Sequence, residues 1–212
     1  MEPFLLLMED GWEGKKMNNN NSLDATYWSG RYEANTAQWD LGQVSSPIKN
    51  YIDQLTDKNC RILIPGCGNA YEAAYLLEKG FTDISLIDIA PNLVDTLKKR
   101  YANNTSIKII LGDFFELNQP FDLIIEQTFF CALPPTLRPA YVDKMKSLLS
   151  PNGKLVGLLF DRNFEGGPPF GGSKTAYIHL FESDFKLHTL EPCYNSFIKR
   201  QDSELFIIFI RK

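Results

Sequence analysis

Histidine is scarce in this sequence: two occur among 212 residues, His179 and His188. The four cysteines, Cys60, Cys67, Cys131 and Cys193, form no C-x-x-C pair. A zinc site gathers Cys and His at short spacing, and that pattern is missing, so no metal is expected. The thiols are expected to be free, as in a reducing cytoplasm. No apolar run approaches the ~18 residues that a membrane helix needs. Phe4 to Met8 is too short for a signal peptide, and no basic residue precedes it. A cytoplasmic protein without a membrane partner is the expectation. A basic excess is missing too. The formal net charge of −4 argues against a nucleic-acid partner.

What is present is ordinary for a globular chain. Hydrophobic residues make up 44% and charged residues 23%. That suffices for one domain with a full core. Residues 1–21 end in Asn18 to Asn21 and read as a flexible tail. Residues 22–212 read as the domain, with 22–58 as a leading segment and first helix. Tyr27, Trp28, Tyr32 and Trp39 cluster there, and Ile48, Tyr51, Ile52 and Leu55 have helical spacing.

From Arg61 onward the pattern alternates. Arg61–Ile64 predicts a strand that stops at Pro65-Gly66. Ala70, Ala73, Ala74 and Leu77 predict a helix ended by Gly80. Ile84–Ile87 predicts a second strand ending at Asp88, and Pro91 opens the next helix. Ile107–Leu111, Phe121–Ile125 and Lys154–Phe160 predict three more strands, with a helix over Leu137–Leu149. Strands apolar on both faces, alternating with helices, imply a parallel sheet covered on both sides. Phe185–Leu190 and Leu205–Ile210 predict an antiparallel hairpin at the sheet edge. The fold expected is α/β: a doubly wound, mostly parallel seven-stranded sheet with an antiparallel C-terminal hairpin.

In such sheets ligands bind beyond the carboxyl ends of the strands, where strand order reverses. The first strand ends in Gly66-Cys67-Gly68-Asn69-Ala70, and glycines there let a ligand approach the backbone. Asp88, 22 residues after Gly66, is placed to accept from two ribose hydroxyls. Dinucleotide and S-adenosylmethionine sites share this layout, and a tight turn with a solvent-facing Asp would also produce it. The nicotinamide fingerprint has a third glycine that this chain replaces with Tyr71. That favours S-adenosylmethionine, which has no pyrophosphate to accommodate. Asp113 and Phe114, after the third strand, suit an adenine ring, although Asp113 could simply form a turn.

Four stretches carry a resemblance over Tyr27 to the C-terminus. They are Trp39-Asp40-Leu41-Gly42 with Pro47; Pro65-Gly66-Cys67-Gly68; Phe129-Phe130-Cys131-Ala132-Leu133 with Arg138-Pro139-Ala140; and Gly166-Gly167-Pro168-Pro169-Phe170. In these the chain resembles the thiopurine methyltransferase family, closest to its plant and microbial halide and thiol methyltransferase branch. The resemblance implies the Rossmann-like class I methyltransferase fold and S-adenosylmethionine as cofactor, leaving S-adenosylhomocysteine as product. It implies that Trp28, Tyr32 and Trp39 close over the cofactor. It implies that Gly66 lies at its methionine end, that Gly68 also contacts the cofactor, that Asp88 holds the ribose, and that Asp113 and Phe114 hold the adenine. Gln127 falls at a cofactor-contacting position. Tyr32 stands where plant relatives have Trp, and Gln127 where relatives have Arg or Tyr. Phe170 is a candidate wall of the acceptor pocket beside Trp39, and Arg138 a candidate attractor for an anionic acceptor.

The reaction implied is an in-line displacement at the sulfonium methyl. A small soft nucleophile (thiol, bisulfide or halide) is the expected acceptor. Halides and thiolates need no general base, which agrees with the lack of histidine in the motifs. No catalytic residue is singled out. Methylation of another small molecule, such as a thiopurine, is the alternative. So is a non-catalytic S-adenosylmethionine-binding module. Nothing in the sequence demands a partner chain, so a monomer is expected.

Overall fold

The computed structural model describes residues 23–212, and the tail expected over 1–21 lies outside the described residues. Seven strands form one sheet in the order β3-β2-β1-β4-β5-β7-β6. They are β1 (Ile62–Pro65), β2 (Ile84–Asp88), β3 (Ile107–Leu111), β4 (Phe121–Gln127), β5 (Leu149–Phe160), β6 (Phe185–Pro192) and β7 (Glu204–Arg211). The first five are parallel. β7 is antiparallel to both neighbours and lies between β5 and β6. The expected C-terminal hairpin is therefore present, with its second strand on the inside.

The central strands are buried on both faces, and their alternate residues feed two cores. Leu63, Ile124, Leu155 and Ile207 pack with Phe130, Tyr141, Met145 and Phe181. Ile62, Ile64, Ile125 and Val156 pack with Ile48, Ile52, Leu76 and Leu97. The helices that cover them are α1 (Ala25–Glu33), α2 (Ser46–Ile52), α3 (Tyr71–Glu78), α4 (Pro91–Arg100), α5 (Arg138–Leu148) and α6 (Lys174–Phe181).

Two of these helices go beyond the sequence reading. α1 is capped by the Asp24 carboxylate, which accepts from Tyr27 N at 3.0 Å. It docks on α4, where the Asn92 side chain donates to Ser29 O at 3.2 Å. α6 starts at Ser173, whose hydroxyl accepts from Ala176 N at 3.3 Å. Tyr177 and Phe181, one turn apart, fill its buried face. The buried face of α3 also differs from the expected stripe. Glu72, Ala73, Tyr75 and Leu76 are buried there, whereas Ala74 is exposed.

The chain runs outward from β1 to β3 and then returns to β4 on the other side of β1. Strand order reverses between β1 and β4, which opens a crevice at their carboxyl ends.

Candidate active site

A cleft of about 770 Å3 lies at that reversal. Trp28, Tyr32, Trp39, Gly66, Gly68, Asp88, Asp113, Phe114 and Gln127 all line it. Nine positions drawn from five segments of sequence thus converge on one surface.

The turn after β1 is shaped by backbone geometry. Gly66 and Gly68 have φ of +54° and +51°, the left-handed region that glycine occupies without strain. A Cβ on Gly66 would collide with the Phe129 ring, and one on Gly68 would sit 3.0 Å from the Tyr32 hydroxyl. Asp88 staples the turn. Its carboxylate accepts from Gly68 N at 3.1 Å and Ala90 N at 3.0 Å. Only 8% of Asp88 is exposed, and burial raises its pKa while the backbone amides oppose that rise.

The aromatic residues make a roof. Trp39 meets Trp28 edge-on at 5.4 Å and Tyr32 edge-on at 5.8 Å. Its indole N–H donates to the Tyr32 hydroxyl at 3.4 Å. Asp40 fastens this roof to the glycine turn: its carboxylate accepts from the Asn69 amide and from the Tyr71 hydroxyl. Tyr71, the residue in place of the third glycine, therefore has a structural partner.

Asp113 does what a turn-forming Asp would do. One carboxylate oxygen accepts from Phe115 N at 2.8 Å and caps the 3₁₀ turn Phe114–Glu116. The other oxygen makes no hydrogen bond among the described residues, so turn formation and ligand binding do not compete. Gln127 is held from one side. Its side-chain oxygen accepts from Ser45 Oγ at 2.8 Å, and its amide nitrogen is buried without a partner. A buried, unsatisfied donor at a cleft wall is an unmet demand that a bound acceptor oxygen would meet.

Phe170 and Arg138, expected on the acceptor side, are not among the residues that line the cleft. Phe170 N donates to Cys131 O at 2.6 Å, and the ring borders a separate pocket of about 180 Å3 with Leu23 and Pro134. Leu23, Pro134 and Pro168 line both this pocket and the main cleft, and Pro168 and Pro169 of the same loop reach the cleft itself. Arg138 donates to Gly171 O at 2.6 Å and stacks over Phe130 at 4.9 Å. Its guanidinium thereby ties the loop to α5, while its Nε is buried without a partner among the described residues.

The side of the cleft formed by β4, β5 and the segment before β7 carries residues that the sequence reading did not single out. Phe160 and Phe164 meet edge-on at 5.0 Å. The Arg200 guanidinium lies 5.7 Å from the Phe160 ring and that of Arg162 4.8 Å from Phe164. Arg200 is 8% exposed, donates to Trp39 O at 2.7 Å and pairs with buried Glu204 at 3.4 Å. Glu72 also lines the cleft at 6% exposure. A charged residue one turn before Leu76, on an otherwise apolar face, was the available signal for it.

Glu126, beneath the cleft wall, is fully buried. It accepts from Phe129 N, Phe130 N and the Tyr141 hydroxyl at 2.8–2.9 Å. Burial pushes its pKa up to about 7. Burial also pushes the Cys67 thiol well up and the Cys131 thiol to about 12. Neither is a ready nucleophile. No histidine lines the cleft, and no group of acidic, His or Cys side chains among the described residues could hold a metal ion.

The profile of the family described as thiopurine S-methyltransferase (TPMT) matches residues 23–205. A probable thiol methyltransferase 2 of Arabidopsis thaliana is 33% identical over 156 residues, covering 71% of this chain and 69% of that protein. Thiocyanate methyltransferase 1 of Brassica oleracea is 28% identical, covering 84% of this chain and 81% of its own length. The thiopurine S-methyltransferase of Photobacterium profundum is 24% identical, covering 76% of this chain and 83% of its own length. Among solved structures, an N1-methyltransferase of Burkholderia thailandensis superposes with a TM-score of 0.71 at 16% identity. It covers 89% of this chain and 87% of its own, and was crystallised with 1,6-didemethyltoxoflavin and S-adenosylhomocysteine.

Proposed function

Because the chain belongs to the thiopurine S-methyltransferase family and is an S-adenosylmethionine-dependent methyltransferase, we propose that it methylates a small soft nucleophile: a thiol, bisulfide or a halide. The observation that carries this reading is the character of the β4–β5 side of the cleft. Phe160, Phe164, Pro168 and Pro169 make it largely apolar, Arg162 adds a positive charge over Phe164, and no histidine lines the cleft. A largely apolar surface with a guanidinium at its edge suits an acceptor that arrives as a polarisable anion. A thiol, with a pKa of about 8.5, reaches that form readily.

The residues of the turn side fit the cofactor. Asp88 would hold the ribose hydroxyls, Asp113 and Phe114 the adenine, and Gln127 the methionine carboxylate through its unpartnered amide. Trp28, Tyr32 and Trp39 would face the sulfonium, a cation that aromatic faces attract by roughly 0.5–2 kcal/mol. When bound, S-adenosylmethionine supplies a methyl group already activated by that sulfonium. The protein then contributes position, by holding both reactants in line, and exclusion of water under the aromatic roof.

The edge-on pair Phe160 and Phe164, 5.0 Å apart at the cleft, favours a second reading, because an aromatic acceptor packs on such faces. A heterocyclic thiol such as a thiopurine is the alternative acceptor. Headspace gas chromatography with iodide, bisulfide and thiocyanate separates the two. Methyl iodide, methanethiol or methyl thiocyanate above the no-enzyme control is the expected result. Silence from all three, with cofactor binding intact, would move the assignment to the heterocyclic thiol.

A further inference from the structure

We infer that Glu72 binds the α-ammonium group of the cofactor's methionine tail. The inference rests on the S-adenosylmethionine reading of the cleft and adds a residue to it. Glu72 is the second residue of α3, directly after the glycine turn, and it lines the cleft. It is 6% exposed, yet it forms no ion pair among the described residues. Its carboxylate accepts no hydrogen bond from another residue among the described residues. The charged and titratable groups that face it come from three segments. Asp40, in the segment before α2, repels its charge. Cys67, in the glycine turn, is a buried thiol. Arg200, in the segment before β7, attracts it from beyond ion-pair distance.

A carboxylate taken out of water without a cation is costly, and such groups are ordinarily paired. The Arg200 guanidinium is committed to Glu204 and to Trp39 O. A cation from a ligand would supply the missing partner. Without one, burial holds the carboxyl near pKa 7, so it is about half protonated at neutral pH.

Gln127 supplies the complementary half. Ser45 occupies its side-chain oxygen, which leaves the buried amide N–H without a partner at the same cleft. One unpaired anion and one unpaired donor match an amino-acid zwitterion. The competing role, removal of a proton from the acceptor, predicts unchanged S-adenosylhomocysteine affinity when Glu72 is replaced, so binding separates the two.

The test is calorimetry at pH 7 on wild type and Glu72→Gln, with two probes. S-adenosylhomocysteine carries the ammonium; 5′-methylthioadenosine has the nucleoside and sulfur without the amino-acid tail. The variant is expected to bind S-adenosylhomocysteine about ten- to a hundredfold more weakly. It should bind 5′-methylthioadenosine within about twofold of wild type, which also reports an intact fold. Buffers of different ionisation enthalpy give a second readout. Wild type should release about half a proton per S-adenosylhomocysteine bound, because the ammonium drives Glu72 to its charged form. The release should vanish in Glu72→Gln and with 5′-methylthioadenosine. Unchanged S-adenosylhomocysteine affinity in the variant, equal loss of both probes, or proton release that survives the substitution would each overturn the inference. A wild type that binds neither probe would overturn the cofactor reading itself.

Discussion

Replacing Asp88 with Ala tests the proposed cofactor site most directly. On that reading the carboxylate accepts from two ribose hydroxyls while keeping the Gly68 and Ala90 amides. Hydrogen bonds to a charged group contribute about 1.5–3 kcal/mol each, so losing the pair costs about 3–6 kcal/mol of binding. At 1.4 kcal/mol per tenfold, affinity for S-adenosylhomocysteine should fall about 10²–10⁴-fold. The same substitution orphans two backbone amides, at about 1–3 kcal/mol each, and relieves a buried carboxylate that opposes folding. Each net kcal/mol lowers Tm by about 2–4 °C in a domain of this size. Thermal melting therefore defines the temperature at which the variant is still folded, and calorimetry is done below it. Asp88→Asn, which retains one acceptor oxygen, should bind with intermediate affinity. A folded Asp88→Ala protein that binds within fivefold of wild type would refute the ribose placement.

Two further predictions concern the support beneath the cleft. Glu126 has its pKa raised from 4.5 to about 7 in the fold. The folded state thus holds the proton more tightly than the unfolded chain. The stability this contributes is complete below about pH 4.5 and is lost as pH rises through 7. Glu126→Gln should remove up to about 3 kcal/mol of that decline, which urea unfolding between pH 5 and 8 measures. Parallel pH profiles for the two proteins would contradict it. Gly66→Ala puts a Cβ at φ +54°, which costs about 1–2 kcal/mol, and drives it into Phe129. It should lower Tm by several degrees and abolish cofactor binding. Gly30→Ala, in a helix with open space around the new Cβ, should be neutral or stabilising.

Much of this architecture was legible before any coordinates. Strands such as Ile84–Asp88 declare themselves because burial on both faces demands an unbroken apolar run. Pro65-Gly66 and Gly112-Asp113 mark strand ends because only turns accommodate them. α1 and α6 were harder to read. No residue of α1 is fully buried and its aromatic residues are shared between cleft and core edge, so its sequence lacks an apolar stripe, and α6 is only two turns long. The site divided along the same line. Positions attached to strand ends converge on the cleft because the sheet places them there. Phe170 and Arg138 belong to a loop and a helix start, whose placement depends on contacts distant in sequence, Phe170 N to Cys131 O and the Arg138 guanidinium to Gly171 O. Arg200 could not be read at all: its importance comes from burial against Phe160 and Trp39, 40 and 161 positions away in sequence.

The order in which the cleft is assembled also bears on how such an enzyme can be changed. The glycine turn, Asp88 and the Asp113–Phe114 turn, proposed to hold the nucleoside, lie within residues 66–114, whereas Phe160, Arg162, Phe164 and Arg200 come from the C-terminal third. β7 inserts that third as an inner strand, so it is a structural part of the sheet and not a removable appendage. Its connecting segments are nevertheless separate from the ones that grip the nucleoside. Residues 161–169 are therefore the natural place to vary in retargeting the acceptor, with Arg200 kept because it holds the Trp39 carbonyl of the aromatic roof.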